Sequence, residues 1–341
     1  MTAGPGTRRA LVLGGGGIVG AMYQVGCLAA LEEADPALVD FDLYVGTSGG
    51  SVVAALLAAG YCPAELLELA PSFAPRNLCR TDWKSMIAFA SRVPFRIASA
   101  AWGRRGSGSP LWHRAIAAVQ EAAPPGMFSL DPLARFLRDL ILWRDGADRF
   151  DAPPHALRVP AIDLDWGERV VFGEGSESRA PVSDAVAASC AIPSVFRPVR
   201  IGDRDLVDGA VGDPLNLDVA LRGRVREVVA VSAMVAPLND RSTRCLPSVH
   251  AGCGRIAEQG LATALGQATK IGHMLRSEAS TRLLAASHRG ATIHVVQPNR
   301  LEISLDGPMD FGAAAGLLAV GARDGRRFAE WCLQKRAASH P

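Results

Sequence analysis

The sequence predicts an α/β fold built on a mostly parallel central sheet with helices on its faces. Three observations carry this. Short apolar runs at Arg9–Leu13 and Phe41–Val45 alternate with helical patterns, which is the signature of β-α-β units. Each of these two runs breaks into glycines and then opens a helix, at 14–20 and at 46–50. A strongly β-branched run at Glu227–Ser232 and a late run at Thr292–Val296 supply further strands.

The elements follow in order. After the strand ending at Leu13, Gly14 to Gly17 offer backbone N–H groups with no Cβ in the way. From Ala21 the pattern is helical, with Met22, Val25, Leu28 and Leu31 at three- and four-residue steps, and Asp35-Pro36 ends it. Gly46-Thr47-Ser48-Gly49-Gly50 forms a sharp turn after the second strand, followed by a helix over Val52–Ala59 with Gly60 suited to its C′ position. Pro63-Ala64-Glu65 starts another short helix.

Residues 76–125 differ in character. Trp83, Met86, Ile87, Ala90, Val93 and Ile97 recur at helical spacing, and six basic residues from Arg80 to Arg105 stand against one acid, Asp82. Gly103 to Gly108 reads as a flexible loop. The stretch is read as a helical cap insertion with a surface for peripheral membrane contact, or as an ordinary amphipathic helix packed on the core with a solvated basic face.

Beyond it, Phe128–Leu142 reads as an amphipathic helix and 160–164 with 169–172 as a hairpin. Ser183–Ala191 reads as a short helix, and 199–201 with 205–207 as a second hairpin ending at Asp208-Gly209-Ala210. The stretches 255–289 and 311–335 are helical. No composition shift forces a boundary, so 8–335 is expected to be one domain.

Composition narrows the function. A net charge of +2 gives no global attraction to nucleic acid, and none is expected as a partner. Seven scattered cysteines form no CxxC pair or zinc spacing, which points to reduced thiols in a cytoplasmic protein. No metal and no other cofactor is expected. No secretory leader is expected, and the uncharged run 43–64 reads as a turn and a buried helix rather than a membrane span.

Gly46-Thr47-Ser48-Gly49-Gly50 fits a nucleophile elbow, in which a tight strand–helix turn pushes a serine out at the carboxyl end of the strand. The glycine loop has two readings. Gly15, Gly17 and Gly20 match a dinucleotide fingerprint, but that fold wants an acid ending the second strand. Here Asp40 and Asp42 lie at that strand's beginning, and Gly46-Thr47-Ser48 ends it. The other reading makes Gly15, Gly16 and Gly17 an oxyanion hole facing Ser48, with Gly46, Gly49, Gly50 and Gly209 giving close approach. For the base, Asp208 ends a strand and precedes a glycine. A triad with His250 or His294 is an alternative, although no histidine lies in a recognisable catalytic context.

Four blocks, in order over about 10–215, resemble the patatin-like phospholipases: Gly14–Gly20, Gly46–Gly50, Ala188–Val199 and Asp208-Gly209-Ala210. The resemblance implies a three-layer α/β/α patatin-like fold and a Ser48–Asp208 dyad without histidine. It also implies hydrolysis of fatty-acyl esters of lipids through a covalent acyl-enzyme. An acyltransferase or thioesterase would use the same site, and a non-catalytic nucleotide-binding protein is the other class. Where that family often carries arginine in the glycine loop, this chain has Val19. An arginine there would assist an anionic head group or order the loop, so its absence counts against a preference for charged phospholipids and leaves a neutral ester, a lysolipid or a thioester open as substrate.

Overall fold

The computed structural model describes residues 8–102, 111–152, 154–222, 225–240, 242, 254–303 and 311–339. Its strands are β1 (Arg8–Leu13), β2 (Leu43–Gly46), β3 (Arg80–Thr81), β4 (Phe128–Ser129), β5 (Ala156–Asp163), β6 (Arg169–Phe172), β7 (Val199–Ile201), β8 (Arg204–Asp208), β9 (Val225–Val231) and β10 (Thr292–Val296). The helices are α1 (Gly17–Ala34), α2 (Gly49–Ala58), α3 (Pro63–Leu69), α4 (Pro75–Leu78), α5 (Trp83–Trp102), α6 (Leu111–Ala122), α7 (Asp131–Asp145), α8 (Val182–Ser189), α9 (Leu217–Leu221), α10 (Leu261–Ser287) and α11 (Phe311–Ser339).

The main sheet runs β10-β9-β1-β2-β5-β8-β7, with β6 also pairing with β5. From β10 to β5 every pairing is parallel, and β5–β6, β5–β8 and β8–β7 are antiparallel. Strand β1 lies between β9 and β2 and is buried from Ala10 to Leu13, as a continuous apolar run in a covered parallel sheet should be. Alternation sorts its side chains into two cores. Leu11 and Leu13, with Val229 and Val231, pack among residues of α1, α2, α7, α8 and α11. Ala10 and Val12, with Val228 and Ala230, pack against Leu217, Val219 and Leu221 of α9 and against Leu284 of α10. Helices therefore cover both faces, and the predicted three-layer α/β/α architecture is the one observed.

Several boundaries differ from the sequence reading. Helix α1 starts at Gly17, not Ala21, because its first turn is built from the glycine loop itself. Phe128-Ser129 is not helical but pairs with Arg80-Thr81, and α7 begins only at Asp131-Pro132. In the 76–125 stretch α5 and α6 pack on each other, and Pro94, which can donate no backbone hydrogen bond, lies inside α5. The predicted loop at 103–108, His250 and His340 fall outside the described residues. Helix α2 is wholly buried, in accord with the reading of 43–64. Among the described residues no helix is long and apolar enough to cross a membrane.

Candidate functional site

The site forms where the carboxyl ends of β1 and β2 meet the end of β8. The register explains why Asp208 arrives there although β8 runs the other way. Val45 of β2 is level with Arg158 of β5, and Asp208 is level with Ala161, so Asp208 stands just past the end of β2. Ser48 stands at the same height.

The turn holding Ser48 is strained. Its φ of 52° and ψ of −130° lie outside the regions that residues with a Cβ favour. The surroundings hold it there. The Ser48 N–H donates to Ser189 Oγ at 3.0 Å, and its carbonyl accepts the Ser51 hydroxyl at 2.6 Å and the Ser51 N–H at 2.8 Å. Thr47 donates its N–H to Leu13 O at 2.9 Å, and its hydroxyl accepts from Asn216 Nδ2 at 3.0 Å. Asn216, itself at φ 52°, is held through its side-chain oxygen by Arg169, which also pairs with Asp218.

Tight approach explains the glycines. A Cβ at Gly49 would lie 2.1 Å from Gly17 O, and one at Gly50 would lie 2.3 Å from Leu13 O. At Gly46 it would meet Ser51 Cα at 2.5 Å, and at Gly209 Pro160 O at 2.3 Å. All four predicted supporting glycines sit where a methyl group would strike backbone.

Asp208 and Ser48 are each 3% exposed. The Ser48 hydroxyl faces the Asp208 carboxyl, whose Oδ1 accepts the Ala210 N–H at 2.8 Å. Burial pushes the Asp208 pKa up to about 7, because an ionised carboxylate loses its water there, while the Ser48 hydroxyl and the Ala210 N–H pull it part of the way back. No histidine among the described residues hydrogen-bonds to either side chain. His294 lies on β10 beside Glu227 and Trp331, and His273 lies on α10 near Arg276 and Asp213.

The glycine loop requires one correction. The Gly15 N–H donates to Pro214 O at 3.0 Å, and the Gly14 N–H donates to Val231 O at 3.0 Å. Gly15 therefore offers no free donor. It offers space instead, since a Cβ there would point at Ser48 Cβ 3.6 Å away. Gly16 and Gly17 remain, at the N-terminal end of α1, and their N–H groups have no acceptor among the described residues, nor does that of Gly49. Buried Gln24 braces the loop by donating to Gly14 O at 2.6 Å and to Val231 O at 3.3 Å.

Ser48 opens on a narrow apolar cavity of about 60 Å³. Ile18, Met22 and Val25 of α1 form one wall, and Val52, Val53 and Leu56 of α2 form another. Phe73, Leu78, Leu130, Leu133 and Phe196 close it. Buried Cys190 also lines it, its thiol pushed above its ordinary range by burial and by the nearby Asp208 carboxylate.

Sequence reasoning placed Ser48, Asp208 and the glycines together. It did not single out Ser189, Pro214, Asn216 or Gln24. The first three act through contacts with residues far away along the chain, and no local spacing marks them. The positive φ of Asn216 follows a residue type that tolerates it, which was the one available signal.

Comparison with known proteins adds the following. A family model described as patatin-like phospholipase matches residues 11–221. The uncharacterized protein YqhO of Bacillus subtilis (strain 168) is 25% identical over 231 residues, covering 65% of this chain and 69% of that protein. The crystal structure of VipD from Legionella pneumophila is similar with a TM-score of 0.43 and 12% identity over 96% of this chain and 67% of that one. The type III effector ExoU, from Pseudomonas aeruginosa, is similar with a TM-score of 0.42 and 15% identity over 96% of this chain and 53% of that one. The chain thus spans about half the length of that ExoU chain.

Proposed function

This chain belongs to the patatin-like phospholipase family, lipid acyl hydrolases, and from that premise we propose that it cleaves fatty-acyl esters with Ser48 as nucleophile and Asp208 as base. The observation that carries the reading is the placement of the Ser48 hydroxyl against the buried Asp208 carboxyl, beside an apolar cavity that Ser48 itself lines.

The steps follow from the residue chemistry. Asp208 takes the hydroxyl proton as Ser48 Oγ attacks the ester carbonyl carbon. The oxyanion is held by the N–H groups of Gly16 and Gly17, with Gly49 N–H beside them at the start of α2. The tetrahedral intermediate collapses to the acyl-enzyme, and the departing alkoxide takes the proton from Asp208. A water then gives its proton to Asp208 and attacks the acyl carbon, and Ser48 Oγ leaves and is reprotonated. A carboxylate with a pKa near 7 suits both roles at neutral pH. The cavity between α1 and α2 receives the acyl chain. The free thiols at 27, 62, 79, 190 and 332 fit the reducing conditions of the cytoplasm.

Two tests belong here. A chain-length series of p-nitrophenyl esters probes the cavity. Val53→Phe, one helical turn below the first residue of α2, is expected to lower kcat/KM for long-chain esters by about tenfold or more while the acetate ester is little changed. An equal fall for all lengths counts against an acyl chain in this cavity. Ser189→Ala removes the acceptor of the nucleophile's own N–H. It is expected to lower kcat about ten- to a hundredfold at similar KM, because the turn loses its anchor. Unchanged kcat means that the turn is held without Ser189.

A further inference from the structure

Building on the hydrolase reading, we propose that the α5–α6 hairpin is the docking surface for an anionic lipid bilayer, and that it presents the acyl cavity to the membrane. Helix α5 exposes Trp83, Ile87 and Phe95 at steps of four and eight residues, with Trp83 66% and Phe95 74% accessible. Helix α6 exposes Trp112, Ile116 and Val119 at steps of four and three, with Trp112 60% accessible. Helical spacing gathers each set on one side of its helix, so the hairpin turns apolar and aromatic stripes outward while its inner face, including Ala118 and Ala122, is covered. Water is a poor partner for such stripes, and tryptophan is suited to the head-group boundary.

Charge selects the occupant. Residues 76–125 hold eight basic and two acidic residues, a net of +6, whereas the whole chain carries +2 and the remainder therefore −4. The positive charge is concentrated on the segment that bears the apolar stripes. Lys84 and Arg92 are exposed on α5, and among the described residues neither makes an ion pair, while Arg96 is shared with Glu121. An apolar stripe flanked by free cations matches an anionic lipid surface, into which the stripes insert while the cations meet head groups. A second copy of this chain would bring the Lys84 and Arg92 of one α5 against those of another.

Position links the hairpin to the chemistry. It springs from β3 and β4, which pair with each other. Next to them Leu78 and Leu130 line the acyl cavity. The base is fastened to the wall that carries Phe196, through Asp82 with Arg197 at 3.1 Å and Met127 N–H to Val195 O at 3.0 Å. A bilayer that receives α5 and α6 thus lies on the side of the cavity lined by Leu78 and Leu130, and the cations absent from the glycine loop at Val19 are provided here instead.

The test is vesicle co-sedimentation of the full chain carrying Ser48→Ala, so that no lipid is consumed. Vesicles of phosphatidylcholine alone are compared with phosphatidylcholine–phosphatidylserine vesicles at low and high salt. Binding is expected to the anionic vesicles, weakened by salt. The triple variant Trp83→Ser, Phe95→Ser, Trp112→Ser and the separate double variant Lys84→Glu, Arg92→Glu are each expected to lower the partition coefficient about tenfold or more. In the Ser48 background both should hydrolyse p-nitrophenyl acetate as the wild type does. Undiminished binding by the double variant overturns the proposal, as does absence of binding to either vesicle. So does a wild-type dimer in light scattering that the triple variant dissolves without any vesicle binding. Fluorophosphonate labelling of the wild type in plain buffer reports on the hydrolase reading by itself, so failure of one is distinguishable from failure of the other.

Discussion

Ser48→Ala is expected to abolish hydrolysis of p-nitrophenyl esters and of lipid esters, with kcat falling by about four to six orders of magnitude toward the rate in water. Removing a nucleophile from a unit that acts together costs nearly everything that the unit contributes. Alanine fits the site without strain beyond that already borne at φ 52°, and the anchoring bonds of the turn are made by backbone atoms of residue 48. The variant should therefore fold as the wild type does, and circular dichroism with a thermal melt checks this. Substitution of His273 or His294 should leave the rate within a few-fold, since neither hydrogen-bonds to Ser48 or Asp208. A rate loss in a histidine variant comparable to that of Ser48→Ala would restore a triad.

Asp208→Asn is expected to have two opposite effects. Activity falls by about four orders of magnitude, because the amide cannot accept the proton from Ser48. Stability rises at neutral and alkaline pH. The sign follows from linkage. The folded carboxyl, with its pKa raised by burial to about 7, binds its proton more tightly than the unfolded chain, whose pKa is about 4. Wild-type stability contributed by this group is thus fully present below about pH 4 and is lost as pH rises to about 7. The asparagine variant does not ionise and escapes that loss, which is on the order of a few kcal/mol. Its excess in Tm over the wild type should be largest above pH 7 and should shrink toward pH 4. The same titration governs the rate. Only the ionised carboxylate acts as base, so log kcat/KM of the wild type should fall with a slope of one proton as pH drops below about 7. A stability gain that is constant with pH, or a rate flat down to pH 5, means that Asp208 is an ordinary surface-like carboxylate.

Much of this site was legible in the residues because its constraints are local. Glycine at 46, 49 and 50 between an apolar run and a helical pattern marks a turn too tight for a Cβ, which at these positions would come within 2.1–2.5 Å of backbone atoms. The order of apolar runs and helical periods was enough for a mostly parallel sheet with helices on its faces, and the resemblance of the four motif blocks implied the three-layer α/β/α arrangement. What escaped depends on distance along the chain. Pro214, which occupies the Gly15 amide, lies 199 positions away from it, and Ser189 lies 141 positions from the serine whose N–H it accepts. No periodicity encodes such contacts. The start of α1 at Gly17 was hidden because glycine is a poor helix former. Here it is placed by tertiary contact, with Gly49 packed against its carbonyl. Phe128-Ser129 read as part of α7 because apolar residues precede Asp131-Pro132, and only pairing with Arg80-Thr81 makes it a strand.

The glycine loop shows how one sequence feature serves two chemistries. A dinucleotide fold would direct its loop amides at a pyrophosphate. In this chain two of them are bound to the Val231 and Pro214 carbonyls, and the free pair at Gly16 and Gly17 lies at the start of the helix that walls the apolar cavity. That arrangement suits a single developing oxyanion next to an acyl chain.

The proposed hydrolysis passes through a covalent intermediate at one oxygen, Ser48 Oγ. The most direct measurement is peptide mapping by mass spectrometry after reaction of the wild-type protein with a fluorophosphonate bearing a long alkyl chain. The expected result is one adduct, on the peptide containing Gly46-Thr47-Ser48-Gly49-Gly50 and localised to Ser48, lost in both Ser48→Ala and Asp208→Asn. An adduct on another residue, or an unmodified protein that still hydrolyses esters, would contradict it.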